Sequence, residues 1–232
     1  AWAKYKNFQL DRTIPSAVSS FLNIPATQVM YKGKPVILEG GAIDVNGKGT
    51  LLTSEECLMH PDIQVRNPGF TKDDYEAIFK EFLGITNTIW LADGIVGDDT
   101  HGHIDDLCRF VNEDTIITVV ESDPKDSNYH ALQENLKRLQ HAKLENGKAP
   151  TIISLPMPGQ LDFDGLRLPA SYANFLILNK SVLVPVFNDP KDREALQIIA
   201  DCFPERTIIP ISAIDLIWGF GTLHCLSQQI PE

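Results

Sequence analysis

Three segments of this chain repeat one pattern at nearly constant spacing, and that period constrains the fold more than any single residue does. Gly41–Thr53, Leu107–Val120 and Ala173–Val186 each alternate apolar and polar residues on both sides of a turn rich in Asn, Gly, Asp or Lys, as β-hairpins do. The turn residues Asn46, Asn112 and Asn179 fall 66 and then 67 residues apart. A helical pattern with a start signal follows each hairpin. Thr71-Lys72-Asp73-Asp74 opens the first, with Tyr75, Ile78, Phe79 and Phe82 inward and a stop at Gly84. Asp126-Ser127-Asn128 opens the second, with Leu132, Leu136 and Leu139 on one face. Asn188-Asp189-Pro190 opens the third, with Leu196, Ile199 and Ala200 inward and Phe203-Pro204 at its end. Each helix leads to a short β-rich run, at 88–91, 151–155 and 207–211.

The unit is therefore β-β-α-β, present three times, and the segment around Cys225 begins a further copy. Equivalent units either stack as a solenoid or close into a ring. Solenoid units are usually shorter and carry a strong consensus, which is absent here, so an α/β ring is expected. No Gly/Ser-rich linker interrupts residues 1–232, which are read as one domain.

Composition excludes several function classes. A net charge of −11 with scattered acids argues against a nucleic-acid binder, which needs a basic surface, and suits a small cationic partner. No apolar run approaches the ~20 residues of a membrane span and no signal-like segment opens the chain, so no membrane partner is expected. Cys57, Cys108, Cys202 and Cys225 show no C-x-x-C spacing, which favours free thiols in a reducing, cytoplasmic setting. The first three sit among apolar neighbours and read as inert buried thiols.

Cys225 differs. It lies in a short segment fenced by Gly219, Gly221 and Pro231, beside His224, while far upstream stands the cluster Asp98-Asp99-Thr100-His101-Gly102-His103-Ile104-Asp105-Asp106. A lone thiol with a distant His/Asp cluster is how a cysteine nucleophile and its acid/base partner look in sequence. The plainer readings are a structural thiol and a satisfied core histidine. In an extended stretch Asp105 would share a face with His103. His101-x-His103-x-Asp105 also alternates as metal ligands can, but no third cluster completes such a site, and no metal is expected. A 66-residue step back from Asp105 lands on Glu39, at the same point before its hairpin, and Cys225 occupies the comparable strand of the last copy. In a ring these side chains would converge on one axial pocket. Glu39-Gly40-Gly41 is either strand-start chemistry or a functional glutamate, Trp218 either core or pocket wall, and Asp99 either a loop acid or an anchor for a second positive charge.

At these residues the sequence resembles the agmatine deiminase and Porphyromonas-type peptidylarginine deiminase family, in the guanidine-modifying (pentein) superfamily. The motifs are Leu38-Glu39-Gly40-Gly41 with Gly47-x-Gly49-Thr50, Arg66-Asn67-Pro68, and Gly102-His103-Ile104-Asp105-Asp106 with Arg109-Phe110-Val111. Ser171-Tyr172-x-Asn174-Phe175, Phe203-Pro204-x-Arg206 and Gly221-x-x-His224-Cys225-x-x-Gln228-Gln229 follow in order. The resemblance implies a ring of five β-β-α-β modules, with Cys225 as nucleophile, His103 as general acid/base and Asp105 as a guanidinium-binding carboxylate. Asp99 matches a substrate-binding glutamate of the agmatine enzymes, and Glu39, Trp218 and Gly221 complete the expected substrate-binding set. The implied reaction is hydrolysis of agmatine to N-carbamoylputrescine and ammonia through an amidino-cysteine, with no cofactor. The partner is a small cationic guanidine, and a homo-oligomer is compatible with the sequence. Asp99 is shorter than the family's acid and Gly219-Phe220-Gly221-Thr222 replaces a more glycine-rich run. Free arginine, peptidyl-arginine, a non-catalytic pentein binding module and metal-dependent hydrolysis are the alternatives. Ala1-Trp2-Ala3-Lys4-Tyr5 resembles a segment well inside family members, so further modules with another acidic anchor are expected to precede it.

Overall fold

Buried strands must pair their backbone groups, and each alternating segment does so within its own repeat. The computed structural model describes residues 8–230, so the expectations resting on residues 1–5 and on Pro231 lie outside it. Helix α1 (Ile14–Leu22) and a small hairpin of β1 (Met30–Tyr31) and β2 (Lys34–Pro35) precede the repeats.

In the first module β3 (Asp44–Val45) runs antiparallel to β4 (Thr50–Ser54). The short α2 (Glu55–Met59) and then α3 (Lys72–Leu83) carry the chain back to β5 (Asn87–Leu91), parallel to β4. The second repeats this with β6 (Cys108–Phe110), β7 (Thr115–Val120), α4 (Tyr129–His141) and β8 (Thr151–Pro156). A hairpin of β9 (Asp162–Phe163) and β10 (Leu166–Arg167) intervenes. The third has β11 (Leu176–Ile177), β12 (Ser181–Val186), α5 (Asp192–Cys202) and β13 (Thr207–Ser212). Three separate sheets result, in orders β3-β4-β5, β6-β7-β8 and β11-β12-β13. Each parallel pair starts on its strands' first residues: Thr50 with Asn87, Thr115 with Thr151, Ser181 with Thr207.

Local chemistry accounts for most helix ends. Thr71 caps α3 in a reciprocal capping box with Asp74, and Gly84 closes it in the left-handed conformation. α4 starts after Asn128 as expected. The third helix starts later than Asn188-Asp189-Pro190 suggests, because Asp192 turns back to accept from the Phe187 and Asp189 amides and from the Tyr172 hydroxyl. Asn135 takes a buried place on α4 alongside Leu132 and Leu139, where it accepts from the Ala92 amide and donates to the Asp93 carbonyl. Phe82, expected inside, is 41% exposed.

The first arms of the hairpins are shorter than their alternation implies. Gly40–Ala42 and Ile104–Asp106 are single 3-10 turns, not strands. These turns lie at the inner ends of their modules, where they pack against each other. One buried side chain binds the three modules there. Arg109, on β6, pairs through Nε with Asp44 of the first module and donates through a terminal nitrogen to the carbonyls of Phe175 and Ala173 in the third. Asp44 also accepts from the Phe110 amide at 3.0 Å. A planar guanidinium suits this because its fork serves several acceptors at once.

Truncating one partner of a buried pair leaves the other uncompensated, at a cost of about 3–5 kcal/mol. Asp44→Ala is therefore expected to lower stability by that amount in urea titrations. A loss under about 1 kcal/mol would show that Arg109 does not hold the modules together.

Candidate active site

The 3-10 turn Ile104–Asp106 sets the site's geometry. His103 and Asp105 do not share a strand face: His103 is the residue before the turn and Asp105 sits inside it. The turn drives Asp105 inward until it has no solvent exposure. Its Oδ2 is 2.7 Å from His224 Nδ1 and accepts from the Cys225 thiol at 3.5 Å. His103 Nδ1 stands 4.0 Å from Oδ1, and Oδ1 has no hydrogen-bond partner. Cys225, His103 and Asp105, far apart in sequence, thus lie around one carboxylate.

Asn174 positions the thiol. Its Oδ1 accepts from the Thr222 hydroxyl at 2.8 Å, the His224 amide at 3.0 Å and the Cys225 amide at 3.3 Å. Those donors fix the amide's orientation, so Nδ2 must donate, to Cys225 Sγ at 3.1 Å and to Asp106 Oδ1 at 3.0 Å. Cys225 lies in the turn 223–226, not in a strand, and is exposed as a residue although its sulfur faces Asn174 and Asp105. Gln229 Nε2 lies 3.2 Å from His224 Nε2. An amide nitrogen can only donate, so His224 accepts there and carries its proton on Nδ1, toward Asp105.

Two glycines are required by space. A Cβ on Gly41 would stand 2.5 Å from His103 Nδ1 and about 3 Å from both Asp105 oxygens. One on Gly221 would meet Cys225 Cβ at 2.8 Å. Asp98, read only as part of an acidic cluster, shapes the loop before His103. Its Oδ2 accepts from the Gly102 amide at 2.8 Å and the His103 amide at 3.0 Å, and its Oδ1 binds Thr100.

The remaining expected residues pair with other groups. Glu39 pairs with Arg66 at 3.1 Å and leaves Oε2 unpartnered beside His103. Arg66 also donates to the carbonyls of Cys57 and Thr100, so it ties Glu39 to the histidine loop. Asp99 is half-buried, and its carbonyl accepts from Gln64. His101 turns away from His103 to Glu56, at 3.6 Å. Trp218 is 53% exposed and stacks on Phe163 of the β9–β10 hairpin at 4.1 Å. That hairpin has a sequence signal, Asp164-Gly165 with both residues at positive φ.

Electrostatics separate the two adjacent aspartates. Burial works to raise the Asp105 carboxyl, but the His224 hydrogen bond, the two nearby imidazoles and the Arg109 charge outweigh it and hold it below the usual carboxylate range. Burial pushes Asp106 well above that range, and the Asp105 and Asp98 charges add to the effect. The Cys225 thiol is likewise raised, first by desolvation and then by Asp106 and Asp105. These effects favour the thiol over the thiolate.

All four cysteines are free; Cys57 and Cys108 are buried as expected, whereas Cys202 is only half-buried at the end of α5. Among the described residues no helix is long and apolar enough to cross a membrane.

Known proteins similar to this chain share its fold. The description of the Porphyromonas-type peptidyl-arginine deiminases matches residues 1–231. The agmatine deiminase of Stutzerimonas stutzeri is 36% identical over 219 residues, which are 87% of this chain and 59% of that protein. The agmatine deiminase of Enterococcus faecalis superposes with a TM-score of 0.90 at 28% identity, over 98% of this chain and 65% of that one. A cysteine-to-serine variant of C. jejuni agmatine deiminase, solved with substrate bound, gives 0.86 at 32% identity, over 97% and 64%. The chain spans 58% to 65% of the length of the curated relatives it matches.

The split between the aspartates has a signed consequence. Because Asp106 is raised on folding, its contribution to stability is fully present below the unfolded-state value of about 3.9 and is lost as pH rises toward its folded value. Asp106→Asn keeps the acceptor for Asn174 without that loss. Urea midpoints should show the variant more stable than the parent at neutral pH, with the advantage vanishing near pH ~4. An advantage independent of pH would contradict the assignment.

Proposed function

The chain belongs to the Porphyromonas-type peptidyl-arginine deiminase family, and from that premise we propose that the protein hydrolyses a small guanidine, agmatine foremost, to a ureido product and ammonia. The observation that carries this reading is the buried Asp105 carboxylate, which meets the Cys225 thiol through Oδ2 and leaves Oδ1 without a partner, with the unpartnered Nε2 of His103 as a second buried atom. A planar cation with N–H donors is the ligand these acceptors lack. A carboxylate can grip its N–H fork and hold its carbon against the nucleophile.

The same geometry gives the steps. Before substrate binds, burial first and then the neighbouring aspartates hold the Cys225 thiol protonated. An arriving guanidinium offsets the aspartate charge and favours the thiolate, whose proton passes to His103, so the substrate itself activates the nucleophile. The sulfur attacks the guanidinium carbon, and ammonia departs from the tetrahedral adduct with a proton given by His103. A water then attacks the resulting amidino-cysteine while His103 takes its proton, and the C–S bond breaks to release the ureido product and the thiolate. His224, hydrogen-bonded between Gln229 and Asp105, keeps the carboxylate oriented. Asp99, Glu39, Trp218 and Gly221 form the surround in this proposal, with Asp99 the anchor for agmatine's distal ammonium. The three modules belong to a pentein ring about a pseudo-fivefold axis, whose other modules would complete the pocket. Relatives named agmatine deiminase favour agmatine over arginine or peptidyl-arginine.

Full-length protein incubated with agmatine should release ammonia and N-carbamoylputrescine in equal amounts. Cys225→Ser should fold normally and lose about 10³-fold or more in turnover. If arginine turns over and agmatine does not, the lead substrate is wrong; if the serine variant keeps its activity, the mechanism is.

A further inference from the structure

The β9–β10 hairpin, inserted between the second and third modules, has no part in the steps above, yet it touches the segments that lead to His103 and to Cys225. Its strands are two residues each, too short to stand alone, so its place depends on what holds it. At the base, the Leu168 amide donates to the Leu161 carbonyl at 2.8 Å. Arg167 grips the two Asp126 oxygens at 2.9 and 3.0 Å and the Ser127 hydroxyl at 2.8 Å. Asp126 and Ser127 precede α4, and the next residue, Asn128, accepts from the Val96 amide at 2.8 Å. The Arg167 carbonyl also lies so close to Gly97 that a Cβ there would stand 2.2 Å away. Gly97 is followed by Asp98, whose carboxylate holds the His103 amide. At the tip, Phe163 stacks on Trp218 with ring centroids 4.1 Å apart and planes 26° from parallel, although both residues are about half exposed. Trp218 sits in the 3-10 turn Leu216–Gly219, and Phe220 at φ +60° leads from it toward Gly221 and Cys225.

We propose that the β9–β10 hairpin is a strap that fixes the Cys225 segment against the His103 loop, with Phe163 as a positioning residue that acts through Trp218. Such a strap sets the placement of the thiol relative to the imidazole without touching either. The segment it holds needs an outside restraint. Gly219 and Gly221 flank the left-handed Phe220, so the backbone there has more freedom to lose than elsewhere. An aromatic stack orders it because paired rings keep a preferred geometry. A reaction that needs sulfur and imidazole aligned loses rate steeply when that alignment drifts. The strap's hold is read on the thiol itself, and only its effect on turnover rests on the deimination reading.

The test compares full-length parent, Phe163→Ala and Phe163→Tyr under iodoacetamide at mildly alkaline pH, with each cysteine followed by peptide mass spectrometry. Burial now holds the Cys225 thiol up, so release of its segment should speed its alkylation about tenfold in Phe163→Ala. Phe163→Tyr keeps a ring for Trp218 and should match the parent. Cys57 and Cys108, both buried, should stay protected in all three and so report an intact fold. With agmatine, Phe163→Ala should lose about tenfold or more in kcat while KM stays close to the parent's. Alkylation of Cys225 at the parental rate in Phe163→Ala, or an unchanged kcat, would overturn the proposal. So would Cys57 and Cys108 reacting along with Cys225, because the hairpin would then be holding the core and not the site. A parent that turns over no guanidine would refute the deimination reading alone, and the alkylation rates would still decide the strap.

Discussion

A carboxylate with no solvent exposure is costly to ionise, and the site is organised around Asp105 meeting that cost. His224 donates to one oxygen, His103 stands near the other, and Arg109 adds charge from behind. Asp106, next in sequence, is pushed well above the usual carboxylate range, by burial first and then by the Asp105 charge. The remaining oxygen of Asp105 has no donor among the described residues. Placement of Cys225, orientation of His103 and the need for glycine at position 41 all follow from packing around that one group.

The scaffold supports this from a distance. Three modules with the same strand register supply three inner ends, and Arg109 fastens them by reaching Asp44 on one side and Phe175 on the other. Asn174, two residues before β11 of the third module, does for the thiol what Arg109 does for the sheets. Polar side chains with fixed hydrogen-bond geometry thus set the register between modules that apolar packing alone would leave loose.

The sequence showed the period, the helices with strong caps and the pairing of each hairpin, because these depend on local pattern. Thr71 and Gly84 bounded α3 correctly for that reason. It failed where tertiary bonds override pattern. The stretch through Ile104–Asp106 alternates like a strand, yet Asp98 and Ser54 pull the preceding loop into a shape that ends in a 3-10 turn. The convergence of Cys225, His103 and Asp105 came from a family resemblance and chain position. The roles of Asn174, Asp98 and Arg66 had no local signal, since their partners lie 51, 5 and 27 residues away.

The central claim is that Cys225 attacks a guanidinium carbon held by Asp105. Full-length protein mixed with agmatine, quenched in acid within the first turnovers and digested for mass spectrometry tests it directly. The account predicts an amidino adduct on the peptide containing Cys225, which decays as ureido product accumulates. Product formation with an unmodified Cys225 at every time point, or an adduct on another cysteine, would contradict it.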